Sequence, residues 1–230
     1  MSTVENHLIE LLPRKDRSRL LEISEPVELT LAEVLCEPKA RTRHVYFPTE
    51  GFISLVAMVE GSPGVEVGMV GREGMLGAQL VLGVSACPVH AVVQGAGEAR
   101  RIGAAAFRRE LARSATLRRG MDAYLAVLMA QLATAAACQR FHEIGPRLAR
   151  WLLMSQDRSH SARFQVTHEF LAYMLGVRRV GVTTAANALQ RSGLIKYHRG
   201  DITVVDRPGL ESASCGCYAS DRLAYARLDR

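Results

Sequence analysis

The chain has 230 residues, 48% of them hydrophobic, and a formal net charge of +6. That size allows one large domain or two small ones, and that apolar content excludes a disordered chain. No unbroken run of about 18 apolar residues occurs, so no membrane contact is expected, and residues 1–17 carry acidic side chains and no long apolar core, which excludes a signal peptide and leads us to expect a cytoplasmic protein.

The charge is unevenly placed. Residues 1–143 hold 16 Lys+Arg and 16 Asp+Glu, whereas residues 144–230 hold 13 and 7. The whole excess of cations lies in the second segment, which predicts a neutral module fused to one that meets a polyanion. Five scattered cysteines in a chain without a secretion signal are expected as reduced thiols.

In chain order, residues 6–24 read as an amphipathic helical lead-in with Leu8, Leu11, Leu12, Leu20 and Leu21 apolar. Short β-like runs follow at 27–31, 45–47, 52–59, 65–70, 89–93 and 99–102, with turns at 48–51 and 60–64. Short strands punctuated by Gly and Pro predict an antiparallel barrel or jelly roll. The interrupting loop Gly71-Arg72-Glu73-Gly74-Met75-Leu76-Gly77 could cradle an anion on its N–H groups, or it could simply turn the chain inside a β-roll.

From Ala104 the pattern turns helical, briefly at 107–111 and then over 117–142. Met121, Leu125, Leu128, Leu132, Ala135, Gln139 and His142 recur at steps of four and three, a heptad seam that predicts pairing with a second copy of the chain; packing on the chain's own barrel is the alternative. Gly145-Pro146 marks a break, and 147–156 is the expected first core helix of a second domain, anchored by Trp151. Residues 157–163 read as a polar loop, and the stretch from Gly209 onward as a partly ordered tail.

Between them, residues 167–193 carry two helical patterns across Gly176-Val177. Thr167 stands at an N-cap, Phe170, Leu171 and Met174 share a face, and Gly176 suits a left-handed helix end. In the second pattern Val182, Ala185, Ala186 and Leu189 point inward, leaving Arg178, Arg179, Gly181, Thr183, Thr184 and Asn187 outside with no carboxylate among them. Residues 194–198 and 202–205 are β-like, joined by Arg199-Gly200-Asp201. A helix-turn-helix followed by a basic hairpin is a winged helix. Its expected DNA contacts also include Thr167 and His168 at the start of the first helix and Lys196, His198 and Arg199 on the wing.

This order of parts resembles the Crp/Fnr family of bacterial transcription regulators. The resemblance implies an α+β architecture. Residues 1–112 would be a double-stranded β-helix, a jelly roll like those that bind cyclic nucleotides; 113–143 a dimerisation helix; 144–212 a winged helix-turn-helix; and 213–230 a tail. It also implies a homodimer on palindromic double-stranded DNA, with RNA polymerase as partner if the protein activates. The effector pocket would draw on Gly71, Arg72, Glu73, Gly74, Met75, Gly77 and Cys87. Members that bind cyclic nucleotides carry Gly-Glu-Leu/Ile-Gly and then an Arg-Ser/Thr pair, whereas here the loop begins Gly71-Arg72-Glu73-Gly74 and Cys87-Pro88 stands at the pair. The phosphate clamp is missing, so cyclic AMP is not expected as effector. The oxygen-sensing branch uses an N-terminal cysteine cluster, and residues 1–35 contain no cysteine. Val180 and Thr184 replace the Glu and Arg with which members read TGTGA or TTGAT half-sites, so a different operator is expected; Arg179 keeps the preceding Arg.

Cys87 with His90, Cys138 with His142, and Cys215 with Cys217 each offer two metal donors and show no partners in the sequence, so no metal or other cofactor is predicted. No Walker, GxSxG or HExxH pattern occurs, so no enzyme is predicted. The competing readings are a ligand-binding β-roll whose C-terminal domain mediates protein contacts, and a thiol- or metal-based sensor.

Overall fold

A computed structural model describes residues 6–61 and 64–228. Ser62 and Pro63 of the expected 60–64 turn, the first five residues of the segment read against a signal peptide, and the last two of the tail lie outside the described residues. Helices α1 (His7–Glu10) and α2 (Arg14–Glu22) lead in, separated at Pro13, which splits the single helix expected there.

Seven strands follow: β1 (Glu25–Leu29), β2 (Val34–Cys36), β3 (His44–Pro48), β4 (Phe52–Ala57), β5 (Val65–Val70), β6 (His90–Gly95) and β7 (Gly97–Gly103). All pair antiparallel, in sheets ordered β1-β7-β3 and β2-β6-β4-β5. Val45 stands opposite Ile102 and Ile53 opposite Val70, and all four are buried. Alternation along each strand thus sends one set of side chains into the roll. Strand β2 was not foreseen: Val34 is exposed and no alternation marks it.

Helix α3 (Ala104–Arg113) leads to the long α4 (Ala115–Phe141), capped by the Ser114 hydroxyl on Leu117 N. Among the described residues, α4 is the one helix long and apolar enough to cross a membrane, contrary to the sequence expectation. Scattered small and polar residues hide this in a search for unbroken apolar runs. In the fold α4 lies between the β-roll and α9, and its buried residues are Leu117, Met121, Tyr124, Val127, Gln131, Ala135 and Cys138, the last against Cys215. Helix α5 (Ile144–Ser159) begins just before Gly145-Pro146, so the chain breaks at His142-Glu143 and the proline sits in the first turn, where its missing N–H costs nothing. It runs on through Ser159, the first three residues of the polar loop expected over 157–163.

The C-terminal part contains β8 (Arg163–Gln165), α6 (His168–Leu175), α7 (Arg179–Arg191), β9 (Ile195–His198), β10 (Asp201–Val204), α8 (Arg207–Ala213) and α9 (Cys217–Tyr225). Its sheet runs β8-β10-β9, a strand more than the expected hairpin. Trp151 is in its core, and Phe52 and Met69 of the roll join the same cluster. The tail is ordered, against expectation. Tyr218 is buried and donates to Asp157 at 2.9 Å, Arg207 reaches Asp157 at 2.6 Å, and Arg150 of α5 pairs with buried Asp221 at 2.5 Å. These contacts join the tail to a helix far upstream in the chain, so no local pattern in the tail announces them.

Candidate nucleic-acid interface

Thr167 accepts from Phe170 N at 3.1 Å and starts α6, while Gly176 ends it at φ +61°. At that φ a side chain would be strained, and a Cβ would also meet Val65 of β5 at 2.9 Å. Arg178 caps α7 and Arg179 opens it. Val182, Ala185, Ala186 and Leu189 face the core, as the sequence pattern requires.

The other face is bare. Arg178, Arg179, Val180, Thr184, Asn187 and Arg191 are exposed, and among the described residues the three arginine side chains and Asn187 make no hydrogen bond or ion pair. Val180 is 69% exposed at the first turn. Sequence reading noted its place in the helix but left it out of the interface; an exposed valine amid cations is the signal that finds it, because an apolar side chain there can meet a thymine methyl. On the wing, Arg199 (φ +47°) and Gly200 (φ +88°) form a two-residue turn with both φ positive, the geometry that matches strand twist. It presents Lys196, His198 and Arg199 to solvent, while Arg163 of β8 pairs with Asp201 at 3.0 Å.

Three residues expected at the DNA surface are placed otherwise. His168 is 8% exposed, shares a 3.0 Å hydrogen bond between Nδ1 and the Thr183 hydroxyl, and stacks on Tyr197 at 4.1 Å. Burial, with the Arg179 charge second, holds its pKa below the ordinary value and favours the neutral ring. Thr183 donates to the Arg179 carbonyl at 3.1 Å and so faces the domain as much as solvent. At Gly181 a Cβ would meet Ile144 Cδ1 at 2.5 Å, so that glycine lets α7 approach α5.

The expected effector residues do not form one pocket. Glu73 is paired with buried Arg158 of α5 at 2.8 Å and accepts from Gly71 N at 3.2 Å. Asn6 donates to the Gly74 carbonyl at 2.8 Å, and Tyr124 of α4 donates to the Met75 carbonyl at 3.2 Å. Gly71, Gly74 and Met75 are therefore packed by the chain itself. Arg72 and Glu73 open onto a cavity of about 400 Å³ shared with α5 and α9, whereas Gly77 and Cys87 line a separate one of about 270 Å³ inside the roll. Nearby, Glu66 of β5 accepts from the Ser54 hydroxyl at 2.5 Å where the roll meets α5, and burial pushes its carboxyl up to about 7.

The heptad residues also divide. Met121 is buried against the chain's own roll, Ala135 is buried beside Glu66 of β5 and Arg147 and Trp151 of α5, and Leu125, Leu128 and Leu132 are half-buried. The stripe left uncovered is Ala126, Met129, Ala133, Ala136 and Ala137, with Met129 69% exposed. The donor pairs that lacked partners in sequence find each other: Cys138, His142, Cys215 and Cys217 come together, while Cys87 instead donates to the Val89 carbonyl at 3.2 Å.

Residues 146–213 match the family described as the Crp-like helix-turn-helix domain. No curated protein matches the sequence. The solved structures include a regulator from Eubacterium rectale described as a putative member of the crp/fnr family. It is 15% identical with a TM-score of 0.69, covering 90% of this chain and 97% of that one. FixK2 from Bradyrhizobium japonicum is 12% identical with a TM-score of 0.70, over 84% and 98% of the two chains. A CRP-family transcriptional regulator from Thermus thermophilus is 22% identical with a TM-score of 0.65, over 82% and 96%. At such identities the likeness is one of fold.

Proposed function

We propose that the chain, which carries a Crp-like helix-turn-helix domain at residues 146–213 within a fold like that of Crp/Fnr regulators, regulates transcription by reading a palindromic DNA site as a homodimer. The observation that carries this is the outer face of α7. Arg178 and Arg179 stand at the N-terminus of α7, where the helix dipole disfavours cations and no partner within the chain compensates, whereas against DNA they would meet phosphates and guanine edges. Arg178, Arg179, Val180, Thr184 and Asn187 would read bases in the major groove; Lys196 and Arg199, with His198 beside them, would hold the backbone beside it. Thr167 stands at the start of α6, where a phosphate would lie. His168, Thr183 and Gly181 serve instead to hold α6, α7, the wing and α5 in register.

The dimer supplies the second half-site that one winged helix needs. Its seam is the uncovered stripe of α4 centred on Met129 and Ala133, with half-buried Leu125 and Leu132 at its flank, because the inner part of the predicted heptad is already used by the roll. Cyclic nucleotides are not the expected effector: of the cations near the packed loop, Arg158 is held by Glu73 and Arg72 pairs with Glu10 at 3.3 Å.

Selection of bound fragments from random duplex DNA tests the reading. A palindromic site bound at least about 1000-fold more tightly than scrambled DNA is expected; equal affinity for the two would overturn it. Met129→Asp with Ala133→Asp, both exposed in the single chain, should leave the fold intact and give a monomer by sedimentation that has lost the palindrome.

A further inference from the structure

Four soft donor side chains that the sequence scatters between positions 138 and 217 meet where α9 touches the C-terminal end of α4. Cys138 and His142 stand one turn apart on the same face at the end of α4. Cys215 and Cys217 flank Gly216 at the start of α9. Cys138 Sγ lies 3.5 Å from Cys215 Sγ, Cys217 Sγ lies 3.6 Å from His142 Nδ1, and all four donor atoms fall within 4.8 Å of one another.

Those distances match a tetrahedral metal. With metal–sulfur bonds of about 2.3 Å and metal–nitrogen bonds of about 2.0–2.1 Å, tetrahedral edges come to about 3.8 Å between sulfurs and about 3.6 Å between sulfur and nitrogen. Two edges of the cluster already sit close to those values, and the longest needs a contraction of about 1 Å. We propose that Cys138, His142, Cys215 and Cys217 form a closed Cys3His site for a thiophilic divalent cation, zinc first among them.

The donor set supports this. Three sulfurs and an imidazole with no carboxylate select zinc-like ions over calcium or magnesium. A bound ion with three thiolates carries one net negative charge, and Arg147 and Arg150 of α5 line the small cavity beside Cys138. Cys138 and Cys215 are buried while His142 is exposed, so the metal has an open side to enter by and a dry side to be held in. Four protein ligands leave no position for substrate, which makes the site structural rather than catalytic. The cross-link it makes falls next to His142-Glu143, the junction between the long helix and the C-terminal domain. On the DNA-reading assignment above, the ion would fix how that domain sits on α4.

Cobalt(II) added to the reduced, metal-stripped full chain under anaerobic conditions tests the site directly. One equivalent per chain is expected, with tetrahedral ligand-field bands and thiolate charge transfer, both abolished by zinc. Cys215→Ser should remove about a third of the charge-transfer intensity, one thiolate of three. His142→Gln, at an exposed position that the fold does not need, should shift the ligand-field bands and weaken binding. An octahedral spectrum, no bound cobalt, or a tetrahedral spectrum unchanged by both variants would overturn the proposal, as would a Cys138–Cys215 disulfide that persists in the protein as isolated and excludes metal. No DNA enters the measurement, so its failure leaves the DNA-reading proposal standing, and failure of DNA binding leaves this one standing.

Discussion

The loop 71–77 and the helix α7 have a likeness as sequences: each joins glycines or small residues to arginine, one in the loop and two along the helix, and each invites an anion. The structure treats them in opposite ways. The loop's polar groups are answered from within, by Asn6, Tyr124 and Arg158, whereas the arginines of α7 reach solvent with no partner among the described residues. The difference teaches that residue type marks a candidate and unmet bonding marks a site. A polar group satisfied by its own chain has nothing left to offer a ligand, since any newcomer must first replace what is already there.

The largest test of this contrast is Gly74→Val. A Cβ there would lie 2.4 Å from the Tyr124 hydroxyl, so the substitution should lower stability by about 3 kcal/mol in urea denaturation; a variant as stable as the parent would mean that the loop is open. On the other side of the comparison, Arg179→Ala should leave stability unchanged and remove ~1–3 kcal/mol of discrimination at one position of each half-site. Equal weakening on operator and scrambled DNA would make Arg179 a phosphate contact.

Glu66 probes the seam between the two regions. The fold raises its carboxyl from 4.5 to about 7 and thus favours the protonated form. Its contribution is complete below pH 4.5 and is lost as pH rises through about 7. Glu66→Gln should therefore match the parent near pH 4.5 and exceed it by ~1–3 kcal/mol at pH 8 in thermal or chemical unfolding. The smallest effect belongs to the wing: Lys196→Ala should weaken all DNA sequences alike and lower the salt slope by about one unit per protomer.

What could be read in advance was local. The Thr167 cap, the Gly176 helix end and the Arg199-Gly200 turn are decided by backbone rules acting within a few residues, and the structure shows each where the sequence implies it. The alternating strands were legible for the same reason. Helix α4 shows the limit: it is apolar nearly all round, so its sequence yields a period without a phase, and the heptad chosen from it includes Met121 and Ala135 on the side that the roll and α5 cover. His168 misled because an imidazole beside an N-cap looks like a phosphate ligand, while its actual partners, Thr183 and Tyr197, belong to the reading helix and the wing. The donor pairs Cys138–His142 and Cys215–Cys217 were visible singly, but their meeting and the ordered tail were out of reach, because α9 finds α4 only through tertiary packing.

The stack of His168 on Tyr197 has a mechanical meaning. With Thr183 bonded to His168 and the Gln190 amide oxygen accepting from Tyr197 N at 2.7 Å, the first helix, the reading helix and the wing are fastened to one another at their shared centre. Such a head can be swung but not remoulded. In the dimer proposed above, a signal arriving from the roll would alter the separation and tilt of two heads on a duplex, and so the choice between binding and release. On that proposal the bases each head would recognise are fixed by the side chains that α7 presents, whatever signal reaches the roll.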